Sequence, residues 1–158
     1  MRKICARSIV VTFVVFVVFV SSIVYSHCQI PCGIYDDQMR IKMIAENITT
    51  IEKSIIQIDS LSRQKSIDLN QINRWIDNKE KHADDTSNII SYYFLAQRIK
   101  PAEKADSDSY REYVKKLTLL HEMLLYCVKA KQTVDITNVE TLRGLLGDFE
   151  DAYFENMN

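Results

Sequence analysis

The 158-residue chain sets 20 Lys and Arg against 21 Asp and Glu, a formal net charge of −1, and 47% of its residues are hydrophobic. That length suits one hydrophobic core rather than two. The near-neutral balance, with no basic patch, excludes a nucleic-acid partner. Three Gly and two Pro are too few for the tight turns of an all-β fold, so long helices are expected.

Residues 1–26, MRKICARSIVVTFVVFVVFVSSIVYS, have a basic start, an apolar run from Ile9 to Val20, and a more polar end in which Val24 and Ser26 precede His27. This is the tripartite pattern of a cleaved secretory leader. An uncleaved membrane anchor is the alternative, because the apolar stretch extends through Ser21 and Ser22 to Tyr25, close to the roughly 20 residues that a span needs. Cleavage before His27 is the expectation. It requires a maturation protease, sends the mature chain to a periplasmic, secreted or organelle-lumen compartment, and confines membrane contact to the leader. Loss of Arg2, Lys3 and Arg7 takes three positive charges from the net −1 and leaves −4.

Residues 27–35 lack periodicity and form an irregular hook; residues 36–158 carry helical patterning. From Asp36 to Asp59, Ile41, Ile44, Ile48, Ile51, Ile55 and Ile58 recur at spacings of three and four, one face of an amphipathic helix. A second helical stretch runs from Ser66 to Arg98, with a polar middle, Asn78 to Asn88, that can bend or break it. Pro101 and the polar run Glu103 to Ser109 connect to a third helix, for which Asp108 or Ser109 is a suitable N-cap. Its expected apolar stripe is Tyr110, Val114, Leu117, Leu120, Leu124 and Val128. The last helix shows Ile136, Val139, Leu142, Leu145, Leu146, Phe149 and Tyr153. Four helices with short links predict an all-α fold, an antiparallel up-down four-helix bundle preceded by a metal-binding hook.

The hook carries the chemistry. With His27 at a free N-terminus, its α-amine, the Cys28 amide nitrogen and the Cys28 sulfur can chelate one metal through two fused five-membered rings, and Cys32 can supply a fourth, in-plane corner. Planar N₂S₂ coordination points to Ni(II) or Cu(II), whereas Zn(II) prefers a tetrahedron. The His27 imidazole can reach the same metal axially. Thiolates and a deprotonated amide push electron density onto nickel and make its higher oxidation state accessible.

His27-Cys28-Gln29-Ile30-Pro31-Cys32-Gly33-Ile34-Tyr35 resembles the N-terminal hook of the nickel superoxide dismutases, His-Cys-x-x-Pro-Cys-Gly-x-Tyr, at every fixed position. The resemblance implies a superoxide dismutase that converts superoxide to oxygen and hydrogen peroxide by Ni(II)/Ni(III) cycling at the mature N-terminus. It implies one nickel ion per subunit, held by His27, Cys28 and Cys32. Tyr35 would sit near the open axial face and guide superoxide or ordered water, and Pro31 would turn the hook. Tyr93 matches a second pocket tyrosine through the short Tyr93-Phe94 echo. A partner for the His27 imidazole is expected at His82 or Glu46, Met43 lying nearer the position of the family's glutamate. A homohexamer is also implied.

Rival readings use the same residues differently. A Cys28–Cys32 disulfide with a retained anchor would make the chain a membrane-anchored helical interaction module. Nickel bound without turnover would make it a carrier or sensor. Cys127, between Leu124 and Val128, reads as a buried, inert thiol, and Asn47-Ile48-Thr49, a glycosylation pattern, is discounted because it falls inside the first helix.

Overall fold

A computed structural model describes residues 31–155. The chain divides into two units, residues 1–33 and residues 34–158. Of the first, the described part is the turn Pro31–Gly33, in which Cys32 and Gly33 both take positive φ, 44° and 86°. Glycine suits the second of these because an L side chain is strained there. Cys32 adopts the same left-handed region with a side chain, a conformation that costs about 1–2 kcal/mol and sharply reverses the chain.

The described elements of the second unit are all helices, with no strand among the described residues: α1 Asp37–Ser62, α2 Leu69–Asn88, a π-helical segment Ile89–Arg98 continuous with α2, α3 Ser107–Gln132 and α4 Ile136–Phe154. The expected all-α bundle is present. Helix α1 packs on α2 and α4, and α3 on α2 and α4, closing a four-helix ring. The isoleucines of α1 face inward, with Ile44, Ile48 and Ile51 fully buried against Phe94, Leu120, Met123, Leu142 and Phe149. Burial of each such side chain stabilises by roughly 1.5–3 kcal/mol, against a few tenths lost to the β-branch in a helix.

Each helix starts on an aspartate whose carboxylate accepts a main-chain N–H of the first turn: Asp36 for α1, Asp68 for α2, Asp106 for α3 and Asp135 for α4. The cap of α3 is therefore Asp106, not Asp108 or Ser109. It accepts both the Ser109 amide at 3.2 Å and the Ser109 hydroxyl at 2.7 Å, which starts the helix at Ser107.

Two further expectations are corrected. The polar stretch Asn78 to Asn88 does not break the second helix; the chain instead widens into π-helix at Ile89. The apolar stripe of α3 is also rotated. Leu120, Met123, Cys127 and Ala130 are fully buried, whereas Val114 is 39% and Val128 49% exposed. Small Cys127 and Ala130 allow the close approach of α2, where Ala83 and Thr86 are equally buried.

Lys79 of α2 is buried, with 2% exposure. Its Nζ donates to the carbonyls of Ala130 and Lys131 at 2.6 Å and of Thr133 at 3.0 Å. Those acceptors end α3 without an intrahelical donor, and a cation there also meets the negative end of the helix dipole. Burial pulls the Lys79 pKa below its ordinary value, yet only the ammonium form presents three donors to three carbonyls.

Candidate functional site

The first described residues of the helical unit, Ile34 to Asp37, run into the N-terminus of α1. Asp36 caps the helix through the Met39 amide at 2.9 Å. Asp37, in the first turn, points inward instead, and its side chain is 8% exposed.

Four donors converge on that carboxylate. Arg98 Nε reaches Asp37 Oδ1 at 2.8 Å and an Arg98 terminal nitrogen reaches Oδ2 at 2.6 Å, a bidentate pair. The Tyr93 hydroxyl donates to Oδ1 at 2.6 Å and the Tyr153 hydroxyl to Oδ2 at 2.9 Å. Burial pushes the Asp37 carboxyl up, but the bonds from Arg98, Tyr93 and Tyr153 and the Arg98 charge outweigh it and hold the group below its ordinary value. Burial and the adjacent carboxylate raise both tyrosines, Tyr153 to about 12. The cluster is an anion satisfied by one cation and two neutral phenols.

The π-helical winding explains how Tyr93 and Arg98 reach one acceptor. They are five residues apart, which in an α-helix separates side chains by about 140° around the axis. In a π-helix, bonded from i to i+5, such residues lie near one another. The Ile99 amide accordingly donates to the Phe94 carbonyl at 2.9 Å.

Tyr35 completes the arrangement. Its ring meets Tyr93 edge-on, with centroids 5.9 Å apart and an interplanar angle of 79°, and the Arg98 guanidinium lies 4.4 Å from its centroid. The Tyr35 hydroxyl is 3.5 Å from Gln97 Oε1, at the outer limit of a hydrogen bond. Behind Tyr93, a chain of edge contacts through Phe94, Phe149 and Tyr153 anchors the group in the core. On the other flank, the Arg40 guanidinium sits 5.1 Å from the Tyr93 centroid.

The structure thus brings two expected residues, Tyr35 and Tyr93, into contact. Cys32 is exposed in its left-handed turn. His27 and Cys28 lie outside the described residues, among which no group of three His, Cys, Asp or Glu side chains can hold a metal. His82 Nδ1 donates to Asn47 Oδ1 at 2.7 Å, Glu46 is exposed, and Cys127 is fully buried, its thiol pushed up to about 11 by burial. Sequence reading missed Asp37, Arg98 and Arg40. Asp37 resembles any acidic residue in a first helical turn, and the π-helical spacing that recruits Arg98 has no sequence signature.

Residues 22–157 match the family model described as nickel-containing superoxide dismutase. The chain belongs to that family. It is an oxidoreductase acting on superoxide, with nickel as its cofactor. No curated protein and no solved structure matches it. The match spans the hook of this nickel superoxide dismutase and all four helices, so the aspartate-centred tyrosine cluster lies inside the family region.

Proposed function

We propose that dismutation runs at an N-terminus created by cleavage before His27, with nickel held by the His27 amine and imidazole, the Cys28 amide and thiolate, and the Cys32 thiolate. Nickel held by those residues would supply the electron exchange between two superoxide anions. The observation that carries the reading is the Tyr35–Tyr93 contact. Cys32 and Tyr35 are three residues apart, so their Cα atoms lie within about 11 Å of each other, and the pinned tyrosine pair begins where the hook ends.

The two phenols have different work. Tyr93 directs its proton to Asp37 and, with its pKa raised by burial and that carboxylate, stays protonated and fixed. Tyr35 is 40% exposed and only weakly engaged with Gln97, so its hydroxyl is the one able to donate to superoxide or to an ordered water. Peroxide formation consumes protons, and a positioned phenol is a suitable relay. This reading keeps the three segments 1–26, 27–35 and 36–158 as leader, hook and bundle, places the mature enzyme in an exported compartment, and includes a homo-oligomer, a hexamer by resemblance.

Cleavage is testable because an α-amine can ligate where a peptide nitrogen with an added residue cannot do so in the same way. A chain starting at His27 is to be compared with one carrying a single extra Ala before His27. Circular dichroism is expected to match, while the extended chain loads nickel poorly and fails to accelerate superoxide decay. Equal nickel content and equal activity would remove the amine from the site.

A further inference from the structure

Two arginines flank the tyrosine pair, and their electrostatic situations are opposite. Arg98, over Tyr35, is neutralised by the bidentate Asp37 carboxylate at 2.6 and 2.8 Å. Arg40, over Tyr93, forms no ion pair among the described residues. Its Nη1 donates to the Met43 sulfur at 3.4 Å, a weak acceptor, and its Nε is buried without a hydrogen-bond partner. The nearby Asp36 carboxylate is directed at the Met39 amide, at a helix N-terminus whose partial positive charge offsets it. Of the two arginines on the tyrosine pair, Arg40, over Tyr93, is therefore the cation whose field is less cancelled.

We propose that Arg40 is the specificity-determining cation of this dismutase, drawing the superoxide anion onto the Tyr35–Tyr93 pair. The inference rests on the reading that superoxide is consumed beside Tyr35. An uncompensated charge partly shielded from water by an aromatic face acts over several ångströms, and superoxide carries a single negative charge. A role in collecting an anion differs from a role in packing by its salt dependence: steering decays with the Debye length, about 10 Å at 0.1 M, whereas packing does not.

The test uses nickel-loaded enzyme and the second-order rate constant for superoxide decay between 10 mM and 500 mM salt. Arg40→Gln should lower the rate about three- to ten-fold at low salt, converge toward the unsubstituted enzyme at high salt, and keep its nickel content. Arg40→Lys should restore most of the rate and of the salt slope. Arg74→Gln makes the same charge change on α2, roughly 25 Å along that helical rod from Tyr93, and should leave the slope unaltered. A salt slope in Arg40→Gln equal to that of the unsubstituted enzyme overturns the proposal while leaving the enzymatic reading intact. If Arg40→Gln folds poorly, Arg40→Lys decides, since loss of the slope with the charge retained also overturns it. Nickel-loaded unsubstituted chain without superoxide decay would sink the underlying reading as well.

Discussion

Tyr93 and Asp37 are joined by a 2.6 Å hydrogen bond across 56 positions of sequence, and that bond ties the start of the bundle to the π-helical segment. Asp37→Asn removes the charge but keeps the shape. It leaves Arg98 in a site where its side chain is 23% exposed without a counter-ion, and loss of one partner from such a pair costs about 2–4 kcal/mol. The expected outcome is a lower urea midpoint at pH 7 with helical content unchanged.

The same bond gives a pH dependence. Asp37 titrates in the folded chain below its ordinary value, so its stabilisation is complete above the unfolded carboxyl pKa of about 3.9 and is lost as pH falls through the lower folded value. Arg98, Tyr93 and Tyr153 face this group and keep their protons throughout that range. Urea midpoints of unsubstituted chain and Asp37→Asn should differ at pH 7 and converge as the pH falls through the lowered folded value of Asp37; a gap that persists unchanged at low pH would show that shape, not charge, is at issue.

For the hook, Cys28→Ser and Cys32→Ser should each abolish nickel binding and superoxide decay, because a neutral hydroxyl cannot replace an anionic sulfur. His27→Gln keeps the amine, the amide and both thiolates and should retain nickel with much reduced turnover. Metal analysis beside a superoxide-decay assay separates the two classes, and activity surviving in either serine variant would refute the ligand set.

Lys79→Met tests the lid on α3. Three carbonyls would lose their donor at a buried helix end, a cost of about 2 kcal/mol, while the apolar stem is preserved. Thermal unfolding should drop by several degrees, and hydrogen exchange should rise first around Lys129 to Thr133. An unchanged melting temperature would mean that water replaces the ammonium without loss.

The rotation of α3 predicts a reversal of what hydrophobicity alone suggests. Val128→Ser, on the half-exposed face, should change stability by less than about 0.5 kcal/mol. Met123→Ala, at a position with no exposure, should cost about 2–5 kcal/mol through the cavity it leaves. Comparable denaturation midpoints for the two variants would contradict the packing.

The sequence by itself determined the bundle, because helical patterning rests on local information. Isoleucines three and four apart must share a helix face, whereas His27 and Cys28 of the expected hook lie outside the described residues. For α3 an N-cap was expected at Asp108 or Ser109, yet Asp106 prevailed because its carboxylate reaches both the amide and the hydroxyl of Ser109. What only the tertiary structure decided is long-range and depends on winding or packing. Asp37, Tyr93, Arg98 and Tyr153 meet because a π-helical turn brings residues five apart together and α4 returns beside α1. The inward face of α3 is the one that packs Leu120, Met123, Cys127 and Ala130 against the other helices, and Lys79 is buried because the far end of another helix supplies carbonyls that no neighbour in sequence could offer.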